Sequence, residues 1–135
     1  MQKSFKIGKG GNDIIKADKA YDLHNLYDFV GVILKTKDRY LQLLFSPNSE
    51  YGEKEPPVLL NFEDVDYLEF SPDFGTRTLS GLAEIGYKNP EDRDDDWLLN
   101  EEQAASGDHL FFRMDGDEFV RLHCRYADLI EEAKE

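Results

Sequence analysis

Apolar positions in this chain recur mostly with a period of two, in short runs separated by turn-forming residues. Tyr27 to Leu34 is rich in β-branched and aromatic residues, Lys35 to Asp38 is polar, and Arg39 to Phe45 puts Leu41, Leu43 and Phe45 on one face. Such residues suit a pleated, half-buried surface, so the two runs predict a hairpin. Ser46 to Pro57 holds three prolines, a glycine and several small polar residues and reads as a surface loop. Val58 to Phe62 is the next strand. Beyond Glu63-Asp64, Val65, Tyr67 and Glu69 alternate with Asp66, Leu68 and Phe70, and the phase of the apolar set changes. One extra residue in a strand flips every later side chain, so a bulge or tight bend is expected near Asp64. Ser71 to Thr78 is a loop, and Leu79 to Tyr87 is a strand weakened by Gly81 and Gly86. His109 to Met114 and Asp117 to Cys124 flank Asp115-Gly116, the strongest hairpin signal in the chain. A two-residue turn there would pair Met114 with Asp117 and His109 with Leu122.

Two segments carry helical spacing instead. Asn12 stands where a helix cap belongs, and Ile14, Ala17 and Tyr21 follow at i, i+3 and i+7. Near the other end Tyr126, Leu129, Ile130 and Ala133 repeat at i, i+3, i+4 and i+7, so a C-terminal helix should bury that stripe and expose Asp128, Glu131 and Glu132. There is too little helix between strands for βαβ crossovers. The expected class is therefore α+β: a mostly antiparallel sheet of about six strands, in a curled sheet, sandwich or partial barrel, with a short helix near each end. Residues 1–135 are expected to make a single domain. Residues 1–11, with Gly8, Gly10 and Gly11, read as a mobile N-terminal lead.

Charge changes this picture more than composition does. Residues 1–60 carry nine Lys or Arg against eight Asp or Glu, whereas residues 61–135 carry seven against twenty-one. The second half can therefore make a field of one sign, which attracts basic partners and repels nucleic acid, anionic lipid and acidic substrates. The densest acid lies in a long loop over residues 88–108, where Asp92, Asp94, Asp95 and Asp96 precede Trp97, and Glu101 and Glu102 follow. One helical turn or two is expected around Trp97 to Ala105, ended by Gly107. No apolar run approaches the ~18 residues of a membrane span, and the basic N-terminus lacks the apolar core of a signal peptide. The single cysteine, Cys124, leaves no intrachain disulfide. These features predict a soluble cytoplasmic protein without nucleic acid or membrane partners.

Candidate chemistry is thin. Cys124 follows His123 directly, and neighbouring side chains diverge in strand or helix, so this pair reads as a buried structural thiol beside a histidine. His24, His109 and His123 do not converge in the expected register as zinc ligands must. Asp92, Asp94 and Asp96 have the spacing that opens a calcium loop, but Trp97 stands where that loop needs glycine and Gln103 where it needs glutamate. No nucleophile elbow or phosphate-cradling glycine loop is present. No catalytic residue, cofactor site or metal ligand is assigned.

The remaining feature is an aromatic beside acid, and two readings stay open for it. Trp97, Leu98 and Leu99 tuck into the core as a helical turn, or Trp97 anchors a basic partner within an acidic rim formed by Asp92, Asp94, Asp95, Asp96, Glu101 and Glu102. The functional expectation is a non-catalytic acidic protein-binding module for a basic protein surface, of the kind an immunity or antitoxin-type inhibitor uses. The stretch Leu59 to Phe70 resembles strand pairs in small bacterial domains of unknown function, some grouped with immunity proteins; it spans a dozen residues and assigns no family. The alternatives are a small-ligand pocket in the mouth of a curled sheet and an unrecognised hydrolase.

Overall fold

The computed structural model describes residues 1–79 and 81–133, and these form twelve strands in three sheets. The first sheet runs in the order β1 (Gln2–Lys3), β12 (Tyr126–Glu131), β7 (Val58–Glu63), β6 (Tyr40–Pro47) and β5 (Tyr27–Lys35). The second runs β8 (Tyr67–Phe70), β11 (Phe119–His123), β10 (His109–Met114) and β9 (Leu82–Lys88). The third is β2 (Lys6–Ile7), β3 (Asp13–Lys16) and β4 (Lys19–Asp22). All pairings are antiparallel except β1 with β12. Outside the strands, the only helical element among the described residues is a 3-10 turn over Asp115–Asp117. The α+β expectation is therefore corrected to all-β.

Both expected helices are strands, for identifiable reasons. In the β3–β4 hairpin Lys16 pairs with Lys19, so Ile14 pairs with Tyr21 across a two-residue turn in which Ala17 has φ of 55°. Residues seven apart are then direct cross-strand partners, and they also satisfy a helical i, i+7 spacing. Ile14 and Tyr21 are buried while Ile15 is 36 % exposed, the period-two signature of a half-buried strand. At the C-terminal end the buried residues of β12 are Ala127 and Leu129, while Tyr126 and Ile130 lie on the outward face. Leu129 pairs with Leu60 of β7, and this non-local ladder outweighs the local helical spacing. Over Trp97 to Ala105 the chain makes turns and one isolated bridge rather than helix. Residues 1–11 contain β1 and β2, and Phe5 and Ile7 enter the core.

A shared ribbon joins the first two sheets. β7 pairs with β12 in the first and β8 with β11 in the second, so both chains cross between sheets at one corner. Three residues, Asp64 to Asp66, cross on one side and two, Cys124 and Arg125, on the other. The extra residue is a bulge at the place where the apolar phase changes, and Asp64 takes φ of 53° to make it. Cys124 is fully buried in this corner, its Sγ donating to the Tyr126 carbonyl oxygen at 3.3 Å. The core fills the space among the sheets, with Leu41, Leu43, Leu60 and Phe62 from the first, Leu110, Phe112 and Leu122 from the second, and Ile14 and Tyr21 from the third.

The Asp-Gly turn forms with a longer connection than expected. Leu110 pairs with Leu122 and Arg113 with Phe119, one residue out of the two-residue register. Gly116 and Asp117 take φ of 73° and 63°, and the Met114 amide closes the turn on the Glu118 carbonyl at 2.7 Å. The one-residue shift changes which side chains share a face. His109 and His123, which the expected register kept from converging, stand on the same face with rings 6.0 Å apart.

Candidate functional site

The register of the second sheet sends Leu110, Phe112 and Met114 into the core and His109, Phe111 and Arg113 to the opposite face. Neighbouring strands add Lys88 from β9, Arg121 and His123 from β11 and Tyr67 from β8 to that outer face. The same face carries Glu84, 3.5 Å from Arg113, and Glu69, and three of its cations, Lys88, Arg113 and Arg121, meet the acidic loop. The loop leaves β9 after Lys88 and returns to it at Leu99, whose amide and carbonyl bond the Tyr87 carbonyl and amide at 2.8 and 2.9 Å. Gly86 makes this return possible, because a Cβ there would sit 2.6 Å from the Leu98 Cβ and 2.8 Å from the Leu99 carbonyl oxygen.

The closed loop is held from beneath. Lys88 is buried, and its ammonium donates to Asp94 Oδ1 at 2.6 Å and Asp92 Oδ2 at 3.3 Å. The hydrogen bond from Lys88, with the Asp96 amide as second donor, holds the Asp94 carboxyl below its ordinary range. Arg121, also buried, donates from Nη1 to the Asp92 carbonyl at 2.7 Å and from Nη2 to the Asn89 carbonyl at 2.9 Å. Its Nε donates to His109 Nδ1 at 2.9 Å, which leaves the ring proton of neutral His109 on Nε2. Burial, reinforced by the charge of Arg121, lowers the His109 pKa, and the ring stacks on Tyr67 with centroids 4.2 Å apart. Arg113 donates to the Asp95 carbonyl and lies 3.9 Å from its carboxylate. Buried charges demand partners, and here loop carbonyls and carboxylates supply them.

Trp97 does not enter the core. It is 83 % exposed, the most exposed large apolar side chain among the described residues, so the core reading of this aromatic is corrected. The core contact is made by Leu99 instead. Asp92, Asp94 and Asp95 are held by the cations of the sheet, while Asp96, next to Trp97 in the chain, is exposed. Glu101 is placed elsewhere: its carboxylate takes Lys3 at 3.2 Å, the Ile7 amide at 3.2 Å and the Tyr87 hydroxyl, tying the loop to β1 and β2. Burial, with the Glu101 hydrogen bond, raises the Tyr87 pKa. Glu102 lines a cleft of about 410 Å³ with Lys6 and Lys9. The seven sequence-assigned residues thus divide into a group of five over the second sheet and a pair facing the N-terminal strands.

Sequence reasoning missed Lys88, Arg113 and Arg121, and considered His109 only as a zinc ligand. Arg113 and Arg121 were visible as charged residues inside strand patterns and Lys88 as the first residue of the acidic loop, but their common face follows from the register. The rest of the molecule offers less chemistry. Burial pushes the Cys124 thiol up to about 12, so it stays protonated at neutral pH. His123 Nδ1 lies 2.7 Å from Asp66 Oδ1 on the outer surface, and among the described residues no hydroxyl or thiol is bonded to its ring. Among the described residues no group of three His, Cys, Asp or Glu is placed to hold a metal, and no helix is long and apolar enough to cross a membrane. Comparison with family models, curated proteins and solved structures returned no match for the chain.

Proposed function

We propose that this chain is a non-catalytic binding module whose acidic loop engages a basic protein surface, with Trp97 as the anchor at its centre. The observation that carries this reading is the exposure of Trp97 on a loop whose base is fixed by buried cations. A free loop would bury a tryptophan by collapse or leave it disordered; this one holds the ring out from a braced platform. Tryptophan is the residue most enriched at binding hot spots, and pre-organisation lowers the entropy lost on binding. Asp96, which is exposed, and the net acidity of the second half supply the field that raises the rate of encounter with a cationic surface. A protein partner fits better than nucleic acid, whose phosphates this field repels. An inhibitor of the immunity or antitoxin type, acting inside the cell on a basic enzyme, suits the size and charge of the chain.

The test is affinity capture with wild-type and Trp97→Ala baits at low and high salt, followed by association kinetics with the protein retained. A basic protein held by the wild type, lost with Trp97→Ala and lost as salt rises supports the reading. Trp97→Ala itself is expected to change folding stability by less than about 0.5 kcal/mol, as surface substitutions do. Equal retention by both baits, or binding that strengthens with salt, overturns it.

A further inference from the structure

The first sheet ends in an edge unlike the others. β1 and β2 have two residues each and β4 and β8 four, and the free side of β9 is met by Leu99. β5 has nine residues, and among the described residues no strand lies beyond it. Three of its apolar side chains are also open, Val30 at 62 % exposed, Ile33 at 40 % and Leu34 at 43 %, whereas Tyr27 and Phe29 are buried. Proteins ordinarily protect such an edge with charge, proline, short length or a covering element, because its unpaired amides and carbonyls template further pairing. Here the bulge between Phe29 and Gly31 interrupts only the first part, and Gly31 to Lys35 runs regularly.

We propose that β5 pairs antiparallel with β5 of a second copy of this chain, joining two five-stranded sheets into one. Charge favours a self-partner at this place above others. The chain carries net charge -13, yet residues 27–45 hold three basic residues against two acidic ones, so copies meeting here avoid the acid that repels them elsewhere.

Geometry selects the register. A two-fold axis perpendicular to a sheet places residues of the same face opposite one another. Val32 and Leu34 lie opposite Leu43 and Leu41, so they occupy the inner face; Gly31, Ile33 and Lys35 occupy the outer. A register centred on Ile33 keeps all five pairs in phase. It sets Val32 against Leu34 twice on the inner face, Ile33 against itself, and Lys35 against glycine, so no like charges oppose. Centring on Val32 runs into the bulge, and centring on Leu34 leaves three residues paired. The chosen register also brings Asp28 of each copy level with the exposed turn that carries the other copy's Lys37.

The experiment is sedimentation equilibrium of the full chain from micromolar to millimolar concentration, with mild oxidation of single-cysteine additions as a readout of register. Ile33→Cys is expected to form a disulfide-linked dimer, because directly opposed Cα atoms are ~5 Å apart. Lys35→Cys is expected not to, since the two copies of residue 35 are four residues, ~13 Å, apart. Cys124 is buried and does not interfere. Ile33→Lys opposes two ammonium groups at the axis and should raise the dimer dissociation constant at least about tenfold. Salt should tighten this dimer by screening the net charge, whereas it weakens binding at Trp97, so the two readings fail separately. A chain that stays monomeric throughout, a dimer unchanged by Ile33→Lys, or equal cross-linking at residues 33 and 35 overturns the proposal.

Discussion

Arg121 is the residue whose loss should distinguish a braced acidic loop from a merely solvated one. In Arg121→Met the aliphatic stem is kept and three hydrogen bonds are removed, to His109 Nδ1, the Asp92 carbonyl and the Asn89 carbonyl. Bonds to a charged donor contribute ~1.5–3 kcal/mol each. Asn89 is exposed and Asp92 half-buried, so water replaces much of what their carbonyls lose. His109 is buried, and its Nδ1 is left without a donor at a cost of about 1–3 kcal/mol. Removing a buried charge gives part of this back. The expected net loss is about 2–4 kcal/mol in urea unfolding at neutral pH, with an unchanged m-value. A local effect should exceed the global one. The Leu99 amide, bonded to the Tyr87 carbonyl at 2.8 Å, should exchange its hydrogen faster relative to the core strands, because the loop above it is released. Arg121→Lys should restore charge without the three-way fork and recover only part of the loss. A loss below about 0.5 kcal/mol, or Leu99 exchange in step with the core, would refute the claim that Arg121 braces the loop.

Three further outcomes follow from the geometry. His109 has its pKa lowered by burial and by Arg121, so the unfolded chain takes up this proton first; stability should fall as pH drops below about 6.5, and His109→Asn should flatten that slope between pH 7 and 5 in a titration of unfolding midpoints. Leu129→Ala should cost on the order of 2–5 kcal/mol, while Ile130→Ala, 38 % exposed, should cost less than about 1 kcal/mol; equal losses would restore the helical stripe. Gly116→Val should destabilise by about 1–2 kcal/mol through its φ of 73° alone, since nothing lies within 4 Å of the position a Cβ would take, and an unchanged melting midpoint would count against that backbone conformation.

Much of the strand content was legible along the chain. The runs at Tyr27 to Leu34, Val58 to Phe62 and His109 to Met114 are strands in the structure, as is Arg39 to Phe45 from Tyr40 onward, and the phase change at Asp64 marks a bulge where the chain passes between sheets. These features are local: side-chain alternation and turn residues act over a few positions. The acidic loop was equally legible as a charge run, though not what lies beneath it. What the tertiary structure alone decided is non-local. A seven-residue spacing at Ile14 and Tyr21 satisfies helix and hairpin alike, and the pairing with neighbouring strands chooses between them. The helical spacing at Tyr126 to Ala133 yields to a ladder with β7, some seventy residues away in sequence. One residue of register in β10 and β11 puts His109 and His123 on one face and lines up Lys88, Arg113 and Arg121 beneath the loop. The loop fastened there leaves Trp97 in solvent, an exposure that no local pattern distinguishes from burial. The physical reason is that hydrophobic periodicity specifies which residues can share a face, while register and sheet order, set by contacts distant in sequence, determine which faces meet.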